Sequence, residues 1–332
     1  MDDTSEQPSP GRRRLWIAVQ IVLTAAVFAY LFSIVDGPAL LAAFSRAAIW
    51  SVPSAVLALL AVMCMGALRW AWLIRAYGGA RVPPFLQLLH LQLVGLFVNL
   101  LPGAVGGDVV RGVVTRDAFG PGGTLAGVAV VFVERVVGLM GLILLVSGML
   151  LLRPMPALED LLNRAVLWLG LLAAVTAIAG VAIGRRLAPY APGRIGELLA
   201  ALPSLRSPAA FAIAILLSVA NQLLVGLVGH AAIGPLAPHV DVLDSLVLSP
   251  IAFAAVFFPL TVAGAGTRDA AMVLLYGTLA VSKEHALGAS LQVLLTYLIV
   301  AGAGGLSALV FPLSRYQEQP PSEAVVDAPK GE

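Results

Sequence analysis

The chain has 332 residues, of which 60% are hydrophobic and only 11% are charged. Soluble globular proteins carry roughly a quarter charged residues, so water cannot be the solvent for most of this surface. The formal net charge of +2 is too small to indicate a nucleic-acid partner. Composition therefore predicts an all-α polytopic membrane protein with no soluble domain large enough to act alone.

Cysteine and histidine usage bounds the chemistry. The one cysteine, Cys64, lies in an apolar run, so there is no disulfide framework and no CxxC motif. The histidines are scattered and form no HExxH-type pair: His90, His230, His239 and His285. We expect neither a metal site nor a cofactor.

Along the chain, residues 1–14 are polar and end in three arginines, which the positive-inside rule places in the cytoplasm. A bilayer crossing needs about 20 apolar residues. Six runs meet that requirement: 15–35, 52–77, 125–152, 165–184, 208–234 and 287–313. The tail 314–332 is rich in Pro, Glu and Ser and is predicted to be disordered and cytoplasmic.

Two further apolar stretches, 85–119 and 243–281, are broken by Pro and Gly. Each either crosses the membrane fully or turns back as a re-entrant hairpin. The hairpin interpretation puts one arginine group on the cytoplasmic side, as the positive-inside rule requires: Arg185, Arg186, Arg194 and Arg206. It also makes the halves 15–155 and 156–313 an inverted repeat, each with two crossings, a hairpin and one crossing.

The two hairpin tips have similar residues at their backbone breaks: Pro102, Gly106 and Gly107 in the first, and Pro259, Gly264 and Gly266 in the second. Broken backbone at membrane depth must be buried in protein or line a wet cavity. The helix that follows each break has an N-terminus suited to a phosphate or carboxylate.

Each tip also precedes an arginine and an aspartate, Arg111 with Asp108 and Arg268 with Asp269. The arginines are candidate headgroup ligands, oriented by the aspartates or served by them as proton carriers. The alternative is that each Asp and Arg only neutralises its neighbour in a structural pair.

Glu134 and Arg135 lie about ten residues into the apolar run 125–152, near the predicted bilayer centre. Charges at this depth are costly and indicate function. Adjacent residues project about 100° apart on a helix, so we expect the two side chains to span a cavity wall. The alternative is an interhelical ion pair that stabilises the bundle.

Other polar residues have predicted structural roles. Arg69 either binds the ligand or snorkels to the cytoplasmic headgroups. Trp16, Trp70, Trp72 and Trp168 are predicted interfacial anchors. Asn99, Asn221 and Gln222 are predicted to hydrogen-bond between helices.

These motifs together resemble the lysylphosphatidylglycerol synthase transmembrane, or flippase-like, family over roughly residues 12–313. The residues that carry the resemblance are Asn99, Pro102, Gly106, Gly107, Asp108 and Arg111, then Val133, Glu134, Arg135 and Gly138, then Pro259, Gly264, Gly266, Arg268 and Asp269. The resemblance implies a membrane domain that moves a modified lipid between leaflets. It also implies partners such as glycosyltransferases and lipids such as polyprenyl or hopanoid types. The family often has Glu where this chain has the shorter Asp269.

Three functions follow from the sequence. The leading hypothesis is a translocase for an anionic phospholipid or polyprenyl-linked lipid, working without ATP. A second is a scaffold for a glycosyltransferase or lipid synthase, and a third is an enzyme acting on a lipid phosphate or lipid-linked sugar, with Glu134 or Asp108 as general base. The sequence leaves the oligomeric state undecided, with a homo-oligomer as one alternative. The preference for Arg over Lys and for Ala indicates a GC-rich bacterial genome and hence the cytoplasmic membrane.

Overall fold

The computed structural model describes residues 10–100, 106–120, 123–152, 154–155, 164–254 and 264–313. These residues form twelve α-helices and no β-strand. The helices are α1 (Pro10–Ser33), α2 (Gly37–Ala76), α3 (Phe85–Leu100), α4 (Gly106–Val114), α5 (Thr124–Leu152), α6 (Arg164–Ala182), α7 (Gly184–Leu187), α8 (Gly193–Ala201), α9 (Pro208–Ile233), α10 (Val242–Ala254), α11 (Thr267–Gly277) and α12 (Lys283–Val310). The all-α fold predicted from composition is confirmed.

Four described helices are long and apolar enough to cross a membrane: Ile49–Ala76 within α2, and α5, α9 and α12. Two bent helix pairs raise the number to six if each is one span. One joins Ala18–Ser33 to Gly37–Ser45 with a bend of 99°, and the other joins Leu167–Ala182 to Gly184–Tyr190 with a bend of 85°. The six predicted runs thus correspond to four straight and two bent elements.

Helix α1 begins at Pro10, five residues before the apolar run that predicts it. Proline is favoured in the first turn of a helix, and arginine is a good helix former. Helical geometry therefore continues into the polar segment. The tails 1–9 and 314–332 lie outside the described residues, as do Pro102 and Pro259.

Helix α2 is the 40-residue centre of the bundle. The Asp36 side chain caps its first turn by accepting a hydrogen bond from Ala39 N at 3.0 Å. It packs along α9 and α12, and side chains along its length, such as Leu59 and Leu73, are buried. The bundle is therefore built around α2. Positions along α2 serve below as a scale for the distance from one end of the bundle to the other.

The described parts of the stretch 85–119 lie side by side. Helices α3 and α4 pack together, and the residues on either side of them are also adjacent, because Ala80 N donates a hydrogen bond to Ala118 O at 2.9 Å. The segment therefore begins and ends at the same end of the bundle. This end adjoins the last turn of α2, where Arg206 N donates to Ala76 O at 2.8 Å.

The described flanks of the stretch 243–281 are also adjacent, at the other end of α2. Helices α10 and α11 pack together, with Ser249 Oγ and Tyr276 Oη hydrogen-bonded at 2.6 Å. His239, just before α10, donates from Nε2 to Leu279 O just after α11, at 3.1 Å. His239 and Trp50 line one cavity. The two flanks of this stretch therefore lie near the start of the α2 span.

Basic residues gather at the end where α2 finishes. Tyr77 Oη donates to Val181 O at 3.0 Å, which brings the end of α6 beside the end of α2. The arginines near this end are Arg75, Arg81, Arg116, Arg185, Arg186 and Arg206. The bundle therefore has one basic end, which is the distribution that the positive-inside rule associates with a cytoplasmic face.

Candidate functional site

The predicted charged residues of the first half form one connected group, which we call the charge cluster: Arg69, Asp108, Arg111, Glu134 and Arg135. Helix α2 supplies Arg69, α4 supplies Asp108 and Arg111, and α5 supplies Glu134 and Arg135. Residues three apart on a helix share a face, so Asp108 and Arg111 both project from α4 toward α5. The ion pairs therefore join three helices.

Glu134 is the centre of the cluster. Its Oε1 accepts a hydrogen bond from Arg69 Nη2 at 2.9 Å, and its Oε2 accepts one from Arg111 Nη2 at 2.5 Å. The side chain is only 3% exposed. A carboxylate shared by two guanidinium groups offsets much of the cost of burying all three charges.

Arg135 lies on the outside of the same cluster. Its Nε and Nη2 donate to the two Asp108 carboxylate oxygens, each at 2.8 Å. Arg111 Nη1 reaches Asp108 Oδ1 at 3.3 Å and so links this outer pair to Glu134. The Arg135 side chain is 45% exposed and that of Asp108 is 28% exposed, so the cluster is sealed at Glu134 and open at Arg135.

Depth makes this arrangement unusual. Glu134 is ten residues into α5, about 15 Å along the helix axis. The cluster has three guanidinium groups and two carboxylates, which gives it a formal charge of +1. A net cation inside an apolar bundle is attractive to an anion, and arginine forks bind phosphate and carboxylate groups in a bidentate manner.

Three residues that the sequence analysis did not assign to the site support Arg111 and Glu134. Trp70 is fully buried, and the Arg111 guanidinium carbon lies 4.2 Å from its ring centroid. Gln92 Nε2 donates to Glu134 Oε1 at 3.3 Å. A Cβ at Gly95 would meet Arg111 Cδ at 2.9 Å, so only glycine leaves room for that side chain.

The prediction of an interfacial anchor is wrong for Trp70, because it packs on a buried guanidinium as a cation–π platform. The snorkelling alternative for Arg69 does not hold either, since its side chain is 11% exposed and bonded to Glu134. Gln92 had a signal in the sequence, as a polar residue inside an apolar helix. Trp70 and Gly95 had none, because tryptophan and glycine are common in membrane helices.

The second predicted tip forms a separate, sealed arrangement. Arg268 Nη2 donates to Asp269 Oδ1 at 2.8 Å and Arg268 Nε donates to Ser290 Oγ at 3.3 Å. Ser290 Oγ also donates to Asp269 Oδ1. Arg268 and Asp269 are 2% and 0% exposed. No hydrogen bond or ion pair joins them to the charge cluster within the described residues, so their place in headgroup binding stays a prediction.

The predicted breaks differ in how much of each is described. Gly106 begins α4, and Gly107 is buried where a Cβ would meet Asn99 Oδ1 and Gly95 O, both at 2.6 Å. Gly264 and Gly266 have φ values of 71° and 92°, which L side chains rarely adopt. Asp269 Oδ2 accepts from Gly266 N at 2.6 Å and stabilises this turn.

Of the predicted interhelical hydrogen bonds, Gln222 makes one, donating from Nε2 to Gly138 O at 3.0 Å. Asn221 Oδ1 is buried with no hydrogen-bond partner among the described residues. Within the same residues, no group of three or more His, Cys, Asp or Glu side chains is arranged to hold a metal ion.

Comparison with known proteins agrees with these motifs. The sequence matches the family described as "Lysylphosphatidylglycerol synthase TM region" over residues 17–305. The chain belongs to this family. The match covers both broken segments and every residue of the charge cluster, so this lysylphosphatidylglycerol synthase TM-region protein is a membrane protein related to lipid handling. A search of curated proteins found no match.

Proposed function

We propose that this protein moves an anionic lipid, either a phospholipid or a polyprenyl-linked lipid, between membrane leaflets without ATP. The observation that carries the proposal is the excess positive charge of a cluster that is buried at Glu134 and half exposed at Arg135. A sealed structural ion pair needs neither an extra cation nor an opening. A binding site for an anionic headgroup needs both.

The energetics favour an anion at the open side. A single charged side chain at the centre of a membrane helix costs about 3 kcal/mol, and the cluster leaves one guanidinium charge uncompensated. A phosphate oxygen beside Arg135 would neutralise it. Arg111 Nε and Arg69 Nε are buried without a hydrogen-bond partner among the described residues, so the two inner arginines also keep unused donors.

Asp108 gives the site a way to exchange partners. It holds Arg135 by two hydrogen bonds when no lipid is bound. An arriving phosphate takes the place of the Asp108 carboxylate on Arg135, and the aspartate keeps its contact with Arg111. Binding therefore swaps one ion pair for another, which lets the headgroup enter and leave without a large barrier.

The two broken segments supply the route. The pair α3–α4 is re-entrant from the basic end of the bundle and the pair α10–α11 from the opposite end, which makes the halves an inverted repeat. In each broken segment the two flanks are hydrogen-bonded to each other, Ala80 to Ala118 and His239 to Leu279, which supports this arrangement. In transporters of this kind, one half rocks against the other around a site near the midplane.

The remaining predicted roles belong to this mechanism. Arg268 contacts the headgroup when the second half moves, and Glu134, Asp108 and Asp269 are the candidate proton carriers if a proton gradient drives transport. The basic end faces the cytoplasm of a bacterium, with both chain termini on that side, which the positions of the loop arginines support. A glycosyltransferase or lipid synthase supplies or consumes the lipid.

A vesicle assay tests the proposal. Purified protein is reconstituted with a fluorescent phosphatidylglycerol or a fluorescent phosphatidylcholine, and dithionite bleaching reports how much probe changes leaflet. Wild type should transfer phosphatidylglycerol faster than phosphatidylcholine, and Arg135→Gln should slow that transfer at least about tenfold, because a hydrogen bond to a charged group is lost.

The chain offers a matched control. Arg116 is 44% exposed and pairs with Asp117 at 3.6 Å, outside the charge cluster, so Arg116→Gln should transfer lipid as wild type does. Equal transfer by Arg135→Gln and wild type would contradict the proposed site. No transfer by any form, together with co-purification of a glycosyltransferase, would favour the scaffold function.

Native mass spectrometry of the detergent-extracted protein identifies the lipid. Wild type should retain a defined anionic or polyprenyl lipid that Arg135→Ala and Arg268→Ala lose. Equal retention of bulk phospholipid by all three would count against both arginines as ligands.

A further inference from the structure

An open pocket, which we call the cavity, lies at the end of the bundle opposite the basic loops. It has a volume of about 690 Å³ and is lined by the loop that joins α9 to α10 and by the start of the α2 span. Trp50 and Arg69 are nineteen residues apart on α2, about 28 Å along the helix axis. The cavity is therefore separate from the charge cluster, and its size is that of a small-ligand site.

The side chains around this cavity attract cations. Asp241 contributes a carboxylate, Trp50 an indole ring, and His230 and His239 two imidazoles, whereas the described lining residues include no Lys or Arg. Trp50 is 80% exposed, so its indole ring is accessible for a cation–π contact. The charge cluster, deeper in the bundle, carries a net positive charge instead.

The hydrogen bond to Leu279 O sets the tautomer of His239. Leu279 O can only accept, so the His239 Nε2 that lies 3.1 Å from it carries the proton. In this tautomer Nδ1 is the ring nitrogen that can accept a hydrogen bond. His230 uses Nδ1 for its contact with Ser245 Oγ at 3.1 Å, so its Nε2 is the atom left to serve the cavity.

The loop that carries these residues is preformed. Leu236 N and Ala237 N both donate to Ile233 O, at 3.0 and 2.8 Å, and Val240 N donates to Ala237 O at 2.9 Å. The side chains of Leu236, Ala237 and Val240 are buried in the core. A ligand therefore meets a rigid wall and orders little of the chain on binding.

We infer that this cavity binds an organic ammonium group, held by the Asp241 carboxylate and the Trp50 ring, with the His239 Nδ1 accepting one N–H. A free amine and an amine-bearing lipid headgroup share this chemistry. The cavity lies where α9 ends and α10 begins, at the end of a helix long and apolar enough to cross a membrane, so a free amine and a lipid headgroup can both reach it.

Titration of the purified, detergent-solubilised protein tests the inference, with ethanolamine hydrochloride and choline chloride as probes and calorimetry as the readout. Wild type should bind ethanolamine more tightly than choline, whose quaternary nitrogen has no N–H for His239 to accept, and Asp241→Asn and Trp50→Leu should each weaken ethanolamine binding about tenfold. The matched controls are Asp117→Asn, whose side chain is 71% exposed, and Trp168→Leu, at a residue 62% exposed. Both should bind as wild type does.

The source of the amine is separated by a second arm. In nanodiscs, retention of phosphatidylethanolamine over phosphatidylglycerol, lost in Asp241→Asn, would support the cavity as a lipid-headgroup site. Binding of free ethanolamine without that preference would support a soluble amine. The inference is overturned if wild type binds neither the free amines nor phosphatidylethanolamine, if Asp241→Asn binds them as wild type does, or if glucose binds as tightly as the amines. Phosphatidylglycerol transfer is also measured for Asp241→Asn, so that failure of the amine site is distinguished from failure of the proposed translocase.

Discussion

Arg111 Nη2 donates to Glu134 Oε2 at 2.5 Å, and this contact joins the short helix after the first backbone break to the middle of α5. Both side chains are at most 5% exposed. The pair therefore connects a broken segment to a continuous helix inside the bundle, and changes to either partner should be felt in both stability and transport.

Glu134→Gln should destabilise the protein by about 3 kcal/mol, because it leaves the buried Arg69 charge without a carboxylate and leaves Arg111 with only its 3.3 Å contact to Asp108. Thermal unfolding in detergent, followed by intrinsic fluorescence, measures this as a lower Tm. Glu197→Gln is the control, since Glu197 is exposed on α8 and lies outside the cluster. Equal Tm values for the two variants would contradict the central role of Glu134.

Arg135→Lys should fall between wild type and Arg135→Gln in phosphatidylglycerol transfer. Lysine keeps the positive charge, but it lacks the planar fork that makes two hydrogen bonds with Asp108 or with a phosphate. Its Tm should stay close to that of wild type, because Arg135 is half exposed and an exposed pair contributes at most about 1 kcal/mol. Full activity in the lysine variant would show that charge alone suffices.

Gly95→Ala should lower both stability and lipid transfer. The added methyl group would lie 2.9 Å from Arg111 Cδ and displace the arginine from Glu134, at an overpacking cost of about 1–3 kcal/mol. Gly302→Ala is the matched control on α12, where a Cβ meets nothing within 4 Å. That control should be neutral or stabilised by up to about 1 kcal/mol. Tm and vesicle transfer are the measurements.

Asp269→Asn should weaken the second broken segment. Asp269 accepts from Arg268, Ser290 and Gly266 N while fully buried, so losing its charge leaves Arg268 without a counter-ion at a cost of about 3 kcal/mol. Hydrogen exchange across α11 should rise more than exchange across α5. Asp117→Asn, whose side chain is 71% exposed and lies outside this segment, is the control. A uniform rise in exchange across both helices would contradict a local role.

Several parts of the site could be predicted because their signals are local. Glu134, Arg135 and the Asp–Arg pairs stand out as charges within apolar runs, and Gly106, Gly107, Gly264 and Gly266 as breaks in them. Local sequence also placed Asp108 within one turn of Arg111, where an ion pair forms. These features depend only on neighbours a few residues away.

Other parts could not be predicted because they depend on distant segments. Arg69 and Glu134 are 65 residues apart, and Gln92 and Glu134 are 42 apart, so no window of sequence contains these contacts. His230 and His239 looked scattered, yet the loop between α9 and α10 brings both to one cavity. The mistaken prediction for Trp70 has the same origin, since burial depends on which helix packs against the ring.

The sequence by itself determined the solvent, the helices and the charges. A hydrophobic fraction of 60% requires lipid around the chain, lipid requires every backbone group to bond within its own helix, and charged residues in those helices mark function. Only the tertiary structure decided which arginine pairs with which carboxylate and which side of the cluster is open. It also decided that the flanks of the two broken segments lie at opposite ends of α2. Those outcomes follow from how side chains of different helices fit together, which hydropathy along the chain does not encode.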